Sequence, residues 1–397
     1  MIQGCRSLKE LSLEHKTVLV RVDFNVPLDK GHISDDTRIR AALETLKYLL
    51  SKKARLILMS HLGSPKTVDP SLSLKPISER LSELLKTPVT FIESLESARE
   101  LIQHSPHQVF LLENLRFFPG EKNPTQNPQF IETLASLAQA YVNDAFGTAH
   151  REDGSCVALV SKFKGQCACG FLMEKEIEFL QNHFKNPQTP FVAIIGGAKV
   201  SSKLNILHKL LDRCDKLAVV GAMAYTFLAA KGINVARSLY EPDHIEAAKL
   251  ILKKAKEMNK PFILPLDVVT CDNLENPSIT RLVPTHLPFP ENFEGVDIGP
   301  QTLQSITHLI EGAKTIFWNG PAGVFEKDLF AKGTRQLAQM LSQSSAVTIV
   351  GGGDSTAAVN ELGLAGSFTH VSTGGGASLE LIEKGDLPAL KALRENY

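Results

Sequence analysis

Short apolar, β-branched segments alternate with amphipathic segments along almost the whole chain, and few fold classes are compatible with this pattern. In the first half we predict strands at Thr17–Val22, Ala54–Met59, Val89–Ile92, Val109–Leu112 and Ala140–Val142. In the second half we predict strands at Phe191–Ile195, Lys216–Val220, Phe262–Leu264, Lys314–Phe317, Ala346–Val350 and Thr369–Val371. Amphipathic helices are predicted between them, for example at Arg38–Leu50, Ser78–Leu85 and Ile131–Ala138. Because strands that alternate with helices form parallel sheets covered by helices on both faces, the two sets predict an α/β fold with two doubly wound domains.

The length of the chain agrees with two domains. A chain of 397 residues is too long for one ordinary hydrophobic core, so two domains of roughly 200 residues each are expected. The segment Asn182–Pro190 carries two prolines and two asparagines before a new buried strand, which favours a boundary there. Phe171–Phe184 is predicted to be the helix that joins the two halves.

The charge balance excludes a strongly basic or acidic protein. Lys plus Arg number 43 and Asp plus Glu number 43, so no global field attracts nucleic acid or a membrane surface, and anion binding must be local. The longest apolar segment, Leu217–Ala230, has 14 residues, fewer than the roughly 20 that span a bilayer, and is expected in a core. The polar N-terminal segment lacks a signal peptide's apolar stretch, so we expect a cytoplasmic protein without membrane or nucleic-acid partners.

The six cysteines do not form a recognisable metal or disulfide pattern. Cys167 and Cys169 could be a fragment of a metal site, but no second Cys/His pair has zinc spacing. Free cysteines are commonly buried, and we expect this of Cys5, Cys156, Cys167, Cys169, Cys214 and Cys271.

Polar residues follow the first predicted strand. Ligands of open α/β sheets bind beyond the carboxyl ends of the strands, and Asp23 and Asn25 stand there, two residues apart. They would bind hydroxyl groups or form a turn held by their own side chains. Arg38 lies in the first turn of a helix that Asp35 and Asp36 are predicted to cap. A cation there opposes the helix dipole, so Arg38 either pairs with one of these aspartates or binds an anion.

Further cationic residues follow the other strands of the first half. His61 and the flexible Gly63 follow the second strand, Arg116 follows the fourth, and His150 and Arg151 follow the fifth. Each alone would be an ordinary surface group. These cations and Arg38 all fall on the rim at the carboxyl ends of the predicted strands, although the protein has no net charge. We therefore predict that a phosphate or a carboxylate binds there.

The strand ends of the second half are rich in glycine. The segment Ile194–Lys199 is predicted to lead directly into a helix that includes Lys203. Lys199 and Lys203 would then share one helical face near the positive helix end, where like charges repel. A bound anionic ligand would offset this repulsion. Alternatively, the two lysine side chains extend into solvent, where water screens their charges and no ligand is required.

Two more glycine-rich turns, Val350–Ser355 and Ser372–Ala377, stand near the end of the chain. Glycines let backbone amides approach phosphate oxygens closely. Asp354 would be a helix N-cap, a carboxylate for a Mg²⁺-nucleotide, or both. Neither the GxxxxGK[ST] phosphate loop nor the GxGxxG dinucleotide motif occurs in its strand–helix setting, so the turns predict a nucleotide site of another kind.

Nine segments, in this order, resemble those of phosphoglycerate kinases: VRVDFNVP, DDTRIR, SHLG, LLENLRFF, NDAFGTAHR, GGAKV, FWNGPAGVFE, GGGDS and VSTGGGASLE. The resemblance covers nearly the whole chain. It implies two Rossmann-like domains joined by a long helix, with residues 1–170 and 377–397 in a triose-phosphate domain, 171–186 in the helix and 187–376 in a nucleotide domain. It implies reversible in-line transfer of the acyl phosphoryl group of 1,3-bisphosphoglycerate to MgADP after hinge closure, without a covalent enzyme intermediate, by a cytoplasmic monomer.

The resemblance also implies site residues. Catalytic roles are implied for Arg38, Lys199, Lys203, Gly353 and Gly376, and binding of 3-phosphoglycerate or 1,3-bisphosphoglycerate for Asp23, Asn25, Arg38, His61, Gly63, Ser64, Arg116, His150 and Arg151. Binding of ADP or ATP is implied for Lys199, Lys203, Asn319, Pro321, Glu326, Gly352, Gly353, Asp354 and Ser355. The cofactor would be Mg²⁺, held through the nucleotide and Asp354, and Gly374–Gly376 would offer amides near the transfer point.

The chain departs from the family pattern at four places. Ser64 replaces a usual arginine, and Glu152–Gly154 replaces a small residue and a histidine after AHR, which implies a weaker basic patch. Ser202 stands at an often acidic position, and Ala222 at a common glycine. Two other functions remain open at this point: a dinucleotide-dependent dehydrogenase, which would need the missing GxGxxG motif, and a phosphate-binding scaffold without turnover.

Overall fold

The computed structural model describes residues 4–397, so the first three residues of the polar N-terminal segment lie outside the described part. The strands are β1 Thr17–Arg21, β2 Leu28–Asp29, β3 His32–Ile33, β4 Arg55–Met59, β5 Val89–Ile92, β6 Val109–Leu112, β7 Ala140–Asn143, β8 Cys167–Cys169, β9 Phe191–Ile195, β10 Lys216–Val219, β11 Phe262–Ile263, β12 Asp267–Cys271, β13 Thr280–Pro284, β14 Glu294–Ile298, β15 Thr315–Asn319, β16 Val347–Gly351 and β17 His370–Val371. The helices are α1 Thr37–Ser51, α2 Lys75–Leu85, α3 Leu95–His104, α4 Pro119–Lys122, α5 Pro128–Ala135, α6 Phe171–Lys185, α7 Leu204–Arg213, α8 Met223–Ala230, α9 Ile245–Glu257, α10 Pro300–Ile310, α11 Lys332–Ser342, α12 Gly353–Glu361, α13 Gly376–Lys384 and α14 Pro388–Glu395.

The five strands predicted in the first half form one parallel sheet. Its order is β5-β6-β4-β1-β7-β8, and every neighbouring pair is parallel. The edge strand β8 is an addition that the pattern did not predict. Its cysteines, like the other four, are free and buried, so Cys167 and Cys169 are part of the packed edge of the sheet.

The six strands predicted in the second half form a second parallel sheet. Its order is β11-β10-β9-β15-β16-β17, again with parallel pairs throughout. The central strand β9 is buried at all five positions, as expected for a strand covered on both faces. The predicted fold class, α/β with two Rossmann-like domains, is therefore confirmed.

Two small antiparallel elements interrupt the pattern. Strands β12, β13 and β14 form a three-stranded sheet in the order β13-β12-β14, and β2 pairs with β3 in a hairpin. Neither was predicted, because β2 and β3 have only two residues each and β13 exposes its first three positions.

The chain divides into two compact units. Unit 1 comprises Met1–Glu178 and Lys384–Tyr397, and unit 2 comprises Phe179–Glu383. The division falls within helix α6, and the C-terminal segment with α14 belongs to unit 1. The domain limits expected from the family resemblance remain a prediction.

Each unit has its own hydrophobic core beside its parallel sheet. In unit 1 the apolar face of α1, with Ile39, Leu46 and Leu49, packs in one cluster with alternate residues of β1 and β4. In unit 2 alternate residues of β9 and β15, together with Val350 of β16, cluster with apolar positions of α10 and α11. The helical period of 3.6 and the strand period of two thus bring apolar side chains to one layer in both units. Between residues 4 and 397, no helix combines the length and the apolar character that crossing a bilayer requires.

Candidate active site

The polar residues of unit 1 that follow the strands gather at one edge of the sheet. Asp23 and Asn25 follow β1, His61 follows β4, Arg116 follows β6, and Arg151 follows β7. Four arginines act electrostatically on the imidazole of His61, namely Arg21, Arg38, Arg116 and Arg151. We call these four the arginine cluster. The structure thus brings together the predicted anion-binding residues and adds Arg21, the last residue of β1.

Arg38 is held by the segment after β1, not by the aspartates before its own helix. Its Nη1 atom donates to Asp23 Oδ2 at 3.0 Å and to the backbone oxygen of Asn25 at 3.2 Å. Of the two alternatives that the sequence left open for Arg38, pairing with Asp35 or Asp36 is therefore wrong. Asp36, the N-cap of α1, accepts instead from Arg40 and Arg80, and Asp35 accepts from the backbone nitrogen of Thr37.

Asn25 links two strand ends through its side chain. The backbone N–H of Gly63 donates to Asn25 Oδ1 at 2.8 Å, and the N–H of Asn25 donates to Asp23 Oδ1 at 3.2 Å. The predicted turn held by these side chains is present. Asp23 is buried, with 8% of its surface exposed, and therefore positions both Arg38 and the segment around Asn25.

His61 is not the cation that the strand-end pattern predicts. The ring is buried, and burial together with the charges of the arginine cluster holds the pKa of His61 well below its usual value. Its Nδ1 atom lies 3.4 Å from Arg21 Nη2 and 4.0 Å from Asp23 Oδ1. His61 is thus a neutral hydrogen-bonding group within the arginine cluster.

Arg116 is the most buried arginine among the predicted ligand-binding residues. Its Nη1 atom donates to Ser64 Oγ at 2.9 Å and, over a short distance, to the backbone oxygen of Gly63. Burial and the charge of Arg151 lower the pKa of Arg116. Its Nε and Nη2 atoms are buried and have no hydrogen-bond partner within residues 4–397. Two nitrogen atoms of Arg116, with three N–H groups, are thus left for a ligand.

Two carboxylates of this edge, Glu121 and Asp153, were missing from the predicted site. Glu121 is fully buried, accepts from Ser155 N at 2.9 Å and Ser155 Oγ at 2.7 Å, and lies 3.7 Å from Arg21 Nη2. Asp153 Oδ2 lies 3.9 Å from Arg116 Nη2. Asp153 could have been found in the sequence, because the acidic pair Glu152–Asp153 directly follows Arg151 among otherwise cationic residues. Glu121 lies in α4, and nothing in the sequence around it indicates a site.

Arg151 and His150 complete this edge of unit 1. Arg151 is exposed, and its charge acts on both His61 and Arg116. His150 is half-buried and precedes Arg151. Unlike the other three members of the arginine cluster, Arg151 therefore keeps its guanidinium in solvent.

Unit 2 presents glycine-rich turns that pack directly on one another. A Cβ atom at Gly196 would lie 2.2 Å from the backbone oxygen of Pro321, and one at Gly320 would lie 2.2 Å from the oxygen of Gly196. The N–H of Gly196 donates to Asn319 O at 2.8 Å, and that of Gly197 donates to Pro321 O at 3.2 Å. Only glycine permits this approach of the turns after β9 and β15.

The two predicted lysines do not share a helical face, so that prediction is wrong. Lys199 is exposed in the bend after β9, and Lys203 ends a 3₁₀ helix, Ser201–Lys203, directly before α7. The reason is the turn at Gly197, whose φ of 122° prevents a helix from starting there. Lys203 Nζ donates to Asn319 Oδ1 over a short distance, and burial lowers the pKa of Lys203 to about 8, while Asp354 opposes the shift.

The turn after β16 lies beside Lys203 and Asn319. Gly352, with a φ of 98°, is the N-cap of α12, and a Cβ there would lie 2.8 Å from Asn319 Nδ2. Asp354 is exposed in the first helical turn, so the expectation that Asp354 is the N-cap is wrong. Ser355 is buried, accepts from Gly320 N at 2.7 Å and donates to Gly351 O at 2.9 Å, and thereby ties two turns together.

The third glycine-rich turn adjoins the second. A Cβ at Gly375 would lie 3.9 Å from the backbone nitrogen of Gly353. The N–H of Gly374 donates to Ser372 Oγ at 3.1 Å, and Gly376 begins helix α13. The N-terminal ends of α12 and α13 thus leave first-turn backbone N–H groups in one region.

A cavity of about 220 Å³ lies beside these turns in unit 2. It is lined by the predicted residues Pro321, Glu326 and Asp354, and by Gly197, Ala198, Gly221, Ala222, Tyr225, Leu239, Gly295, Val296, Ala322, Gly323 and Val324. Most of these additional residues are small or apolar and carry no chemical signal of their own in a sequence. The turn at Gly221–Ala222, which follows β10 as the other turns follow their strands, could have been found by the same rule.

The described residues contain no group of three or more His, Cys, Asp or Glu side chains able to hold a metal ion. Asp354 is a single exposed carboxylate beside glycine turns and Lys203. Such a site fits Mg²⁺ that arrives with nucleotide phosphates and keeps most of its other oxygen ligands from phosphate and water.

The chemistry of the two edges differs. The edge in unit 1 offers guanidinium groups and a neutral imidazole, which suit a phosphorylated acid. The edge in unit 2 offers backbone N–H groups, a desolvated ammonium group and an apolar cavity, which suit a nucleotide.

Comparisons with known proteins agree with this chemistry. A family model described as phosphoglycerate kinase matches residues 8–385. The phosphoglycerate kinase of Thermosynechococcus vestitus is 48% identical over 399 residues, covering 98% of both proteins, and "Phosphoglycerate kinase 3, cytosolic" of Arabidopsis thaliana is 46% identical over 396 residues, covering 98% of both. Among solved structures, phosphoglycerate kinase from Coxiella burnetii has a TM-score of 0.82, 37% identity and coverage of 99% of this chain and 100% of that chain. The enzyme from Pyrococcus horikoshii has a TM-score of 0.88, 31% identity and coverage of 98% and 99%.

Proposed function

We propose a mechanism for this chain from one premise: the chain belongs to the phosphoglycerate kinase family. It is therefore a phosphotransferase of glycolysis with a carboxyl group as acceptor, and its substrates are 3-phosphoglycerate or 1,3-bisphosphoglycerate and ADP or ATP. It transfers the acyl phosphoryl group of 1,3-bisphosphoglycerate reversibly to ADP. The work of binding and transfer divides between the edge of unit 1 and the edge of unit 2.

The edge of unit 1 with the arginine cluster binds the phosphorylated acid. Arg116 supplies the two buried nitrogen atoms, Nε and Nη2, that have no protein partner, and Arg151 adds an exposed guanidinium group. Asp23 and Asn25 fix the position of Arg38 and of Gly63, and Ser64 fixes Arg116. His61, being neutral, donates or accepts a hydrogen bond without adding charge, and His150 lies next to Arg151.

The edge of unit 2 with the glycine turns binds the nucleotide. The phosphates contact Lys203, Lys199, the N–H group of the N-cap Gly352 and the first-turn N–H groups of Gly353 and Asp354 in α12, because a helix N-terminus attracts anions. Asn319 holds the ammonium group of Lys203, and Ser355 holds the turns together. Pro321 and Glu326 line the cavity, where Glu326 binds the ribose hydroxyl groups.

Transfer proceeds in line from one oxygen to the other without a covalent enzyme intermediate. Charge builds on the three equatorial oxygens of the moving phosphoryl group and has to be neutralised. Arg38 approaches from the acid side, and Lys199, Lys203 and the N–H groups of Gly353 and Gly376 from the nucleotide side. Arg38 and Lys203 are fixed in advance by their hydrogen bonds, so little reorganisation of these two donors accompanies the reaction.

Mg²⁺ bound with ADP or ATP is the cofactor of this reaction. The single exposed carboxylate of Asp354 fits a hard cation that keeps phosphate and water ligands. When bound, Mg²⁺ neutralises phosphate charge. The chain's own contribution is to hold the phosphates between Lys203 and the N-terminus of α12.

The two ligands bind to different units, so a hinge motion has to bring them together. Closure would also exclude water, which otherwise hydrolyses the acyl phosphate. The chain works as a monomer in the cytoplasm. The location is supported by a relative whose name includes "cytosolic".

One observation mainly supports this proposal: two buried nitrogen atoms of Arg116, Nε and Nη2, have no protein partner at the edge that holds the arginine cluster. The test is formation of ATP from 1,3-bisphosphoglycerate and ADP in a coupled assay, with and without Mg²⁺. We expect turnover that requires Mg²⁺. Binding of both substrates without ATP formation would indicate a scaffold and would contradict the assignment.

A further inference from the structure

Three members of the arginine cluster have a carboxylate beside them. Arg21 lies near Glu121, Arg38 binds Asp23, and Arg116 lies near Asp153, with N–O distances of 3.7, 3.0 and 3.9 Å. The acid-binding edge is therefore much less positive than its arginines alone would make it. The three pairs differ in the number of hydrogen bonds that hold their members.

The pairs Arg21–Glu121 and Arg38–Asp23 are held in place by hydrogen bonds within the protein. Arg21 donates to Ser155 Oγ and to the backbone oxygen of Val22, and Glu121 accepts twice from Ser155. Arg38 and Asp23 share a direct hydrogen bond. Both pairs are thus held by direct or shared hydrogen bonds, which keep their members in place.

The pair of Arg116 and Asp153 is different. The two side chains are 2% and 10% exposed, yet Arg116 Nη2 and Asp153 Oδ2 are 3.9 Å apart, too far for a hydrogen bond. Both atoms, and Arg116 Nε, are without a hydrogen-bond partner in the described part of the chain. A buried guanidinium group and a buried carboxylate thus face the same space without satisfying each other.

We propose that Asp153 is a substrate-binding residue that lowers the affinity for the phosphorylated acid at Arg116. The inference rests on the proposed function. An anionic group of the substrate that accepts from Nε and Nη2 of Arg116 would come close to the carboxylate of Asp153, and the two negative charges would repel in a space shielded from water. The chain would therefore hold its acid substrate more weakly, and release it faster, than with a neutral residue 153.

The test is Asp153→Asn, which keeps the volume and removes the charge. We expect the KM for 3-phosphoglycerate and its dissociation constant, measured by calorimetry without nucleotide, to fall by about three- to tenfold, because one partly buried like-charge contact disappears. The KM for ATP should not change, since the nucleotide residues belong to unit 2. The matched control is Glu152→Gln, which removes the same charge from the exposed neighbouring position and should change these constants less than about twofold.

A constant or increased dissociation constant for 3-phosphoglycerate in Asp153→Asn would overturn the inference. An increase that recurs in Asp153→Ala would mean that the carboxylate accepts a hydrogen bond from a hydroxyl group of the substrate, which is the opposite role. Circular dichroism of each variant checks that the fold is intact. If the unchanged chain failed to form ATP, the proposed function would fail, whereas normal turnover with unaltered binding in Asp153→Asn would remove only the role of Asp153.

Discussion

Arg38 and Lys203 differ in how strongly the protein has removed their charged groups from water. Arg38 is 31% exposed and has one carboxylate partner, whereas Lys203 is packed beside Asn319 with a lowered pKa. A guanidinium group stays protonated in either setting, but a desolvated ammonium group titrates in the accessible pH range. The two residues should therefore be distinguished by different experiments.

We expect Arg38→Ala to reduce kcat far more than it weakens nucleotide binding. Arg38 belongs to unit 1, and its charge would act mainly on the phosphoryl group in transfer. The loss in kcat should be on the order of 10²- to 10³-fold, as for removal of one donor that stabilises a transition state. Steady-state kinetics and equilibrium binding of ADP measure the two effects.

The control for this prediction is Arg40→Ala. Arg40 lies two residues further along α1, is 54% exposed and pairs with Asp36, away from Asp23. Its removal should leave kcat within a factor of about two, because exposed ion pairs contribute little. Retention of most turnover in Arg38→Ala would contradict the proposed role of Arg38.

The pKa of about 8 for Lys203 predicts a loss of activity on the basic side. As the pH rises through about 8, Lys203 loses its proton and with it the attraction for nucleotide phosphates. We therefore expect kcat/KM for ATP, which reports the free enzyme, to fall with an apparent pKa near 8. In Lys203→Arg this decline should disappear, at a lower overall rate, because guanidinium stays charged.

The lowered pKa of Lys203 also makes the free energy of unfolding depend on pH. The native pKa of Lys203 lies below the ordinary value of 10.5, so between about 8 and 10.5 the unfolded chain binds more protons. The contribution of Lys203 to the free energy of unfolding therefore rises with pH in this range. Lys209→Met, at an exposed position of α7, should leave both pH profiles as they are.

At the scale of elements, the C-terminal segment is part of the core of unit 1. Leu387, Leu390 and Leu393 are buried, with 2% exposure or less. Backbone oxygens of the segment accept hydrogen bonds from β8 and its neighbourhood, as in the bond from Gly165 N to Asn396 O at 2.8 Å. Helix α14 thus completes unit 1 although it follows unit 2 in the chain.

Removal of residues 386–397 should destabilise unit 1 and spare unit 2. Three buried leucines alone contribute on the order of 5 kcal/mol. Hydrogen exchange measured peptide by peptide should show lost protection in β7 and β8 and unchanged protection in β9 and β15. Lys391→Ala, at an exposed position of α14, serves as the control and should have little effect. Equal loss of protection in both units would contradict this account.

The sequence predicts the long-range pattern of elements well and the short elements poorly. All eleven predicted strands occur, because each is a short apolar segment between amphipathic helices. Strand β8 has only three residues, and β13 exposes most of its side chains, so neither carries a periodic signal. The helix start at Lys199 was wrong because the backbone at Gly197 turns where the pattern continues.

The sequence predicted which charged residues stand at each strand end. It did not predict the hydrogen-bond and ion-pair partners of these residues. Arg38, Arg116 and Lys203 lie at the predicted edges of their sheets. Their partners Asp23, Asp153 and Asn319 are set by side-chain packing between segments far apart in the chain. Burial keeps His61 neutral, and burial cannot be predicted from the strand-end pattern alone. That pattern therefore overestimated the positive charge at the edge of unit 1.

At the scale of the whole molecule, each unit carries one of the two binding edges. If transfer requires the ligands of both units to meet, small-angle scattering should show a smaller radius of gyration with 3-phosphoglycerate and ATP analogue together than with either alone. A radius that stays constant under all conditions would contradict the hinge motion. Glucose 6-phosphate, an unrelated phosphorylated compound, in place of 3-phosphoglycerate is the control for a general anion effect.

The place of α14 in unit 1 has a consequence for the order of events during translation. The ribosome synthesises more than 200 residues of unit 2 between the first part of unit 1 and the helix that completes it. An emerging unit 1 therefore presents an uncovered apolar patch beside β8 until the last helix leaves the exit tunnel, while unit 2 has all its elements earlier. Nascent chains stalled before residue 386 should bind holding chaperones through this patch, and full-length released chains should not.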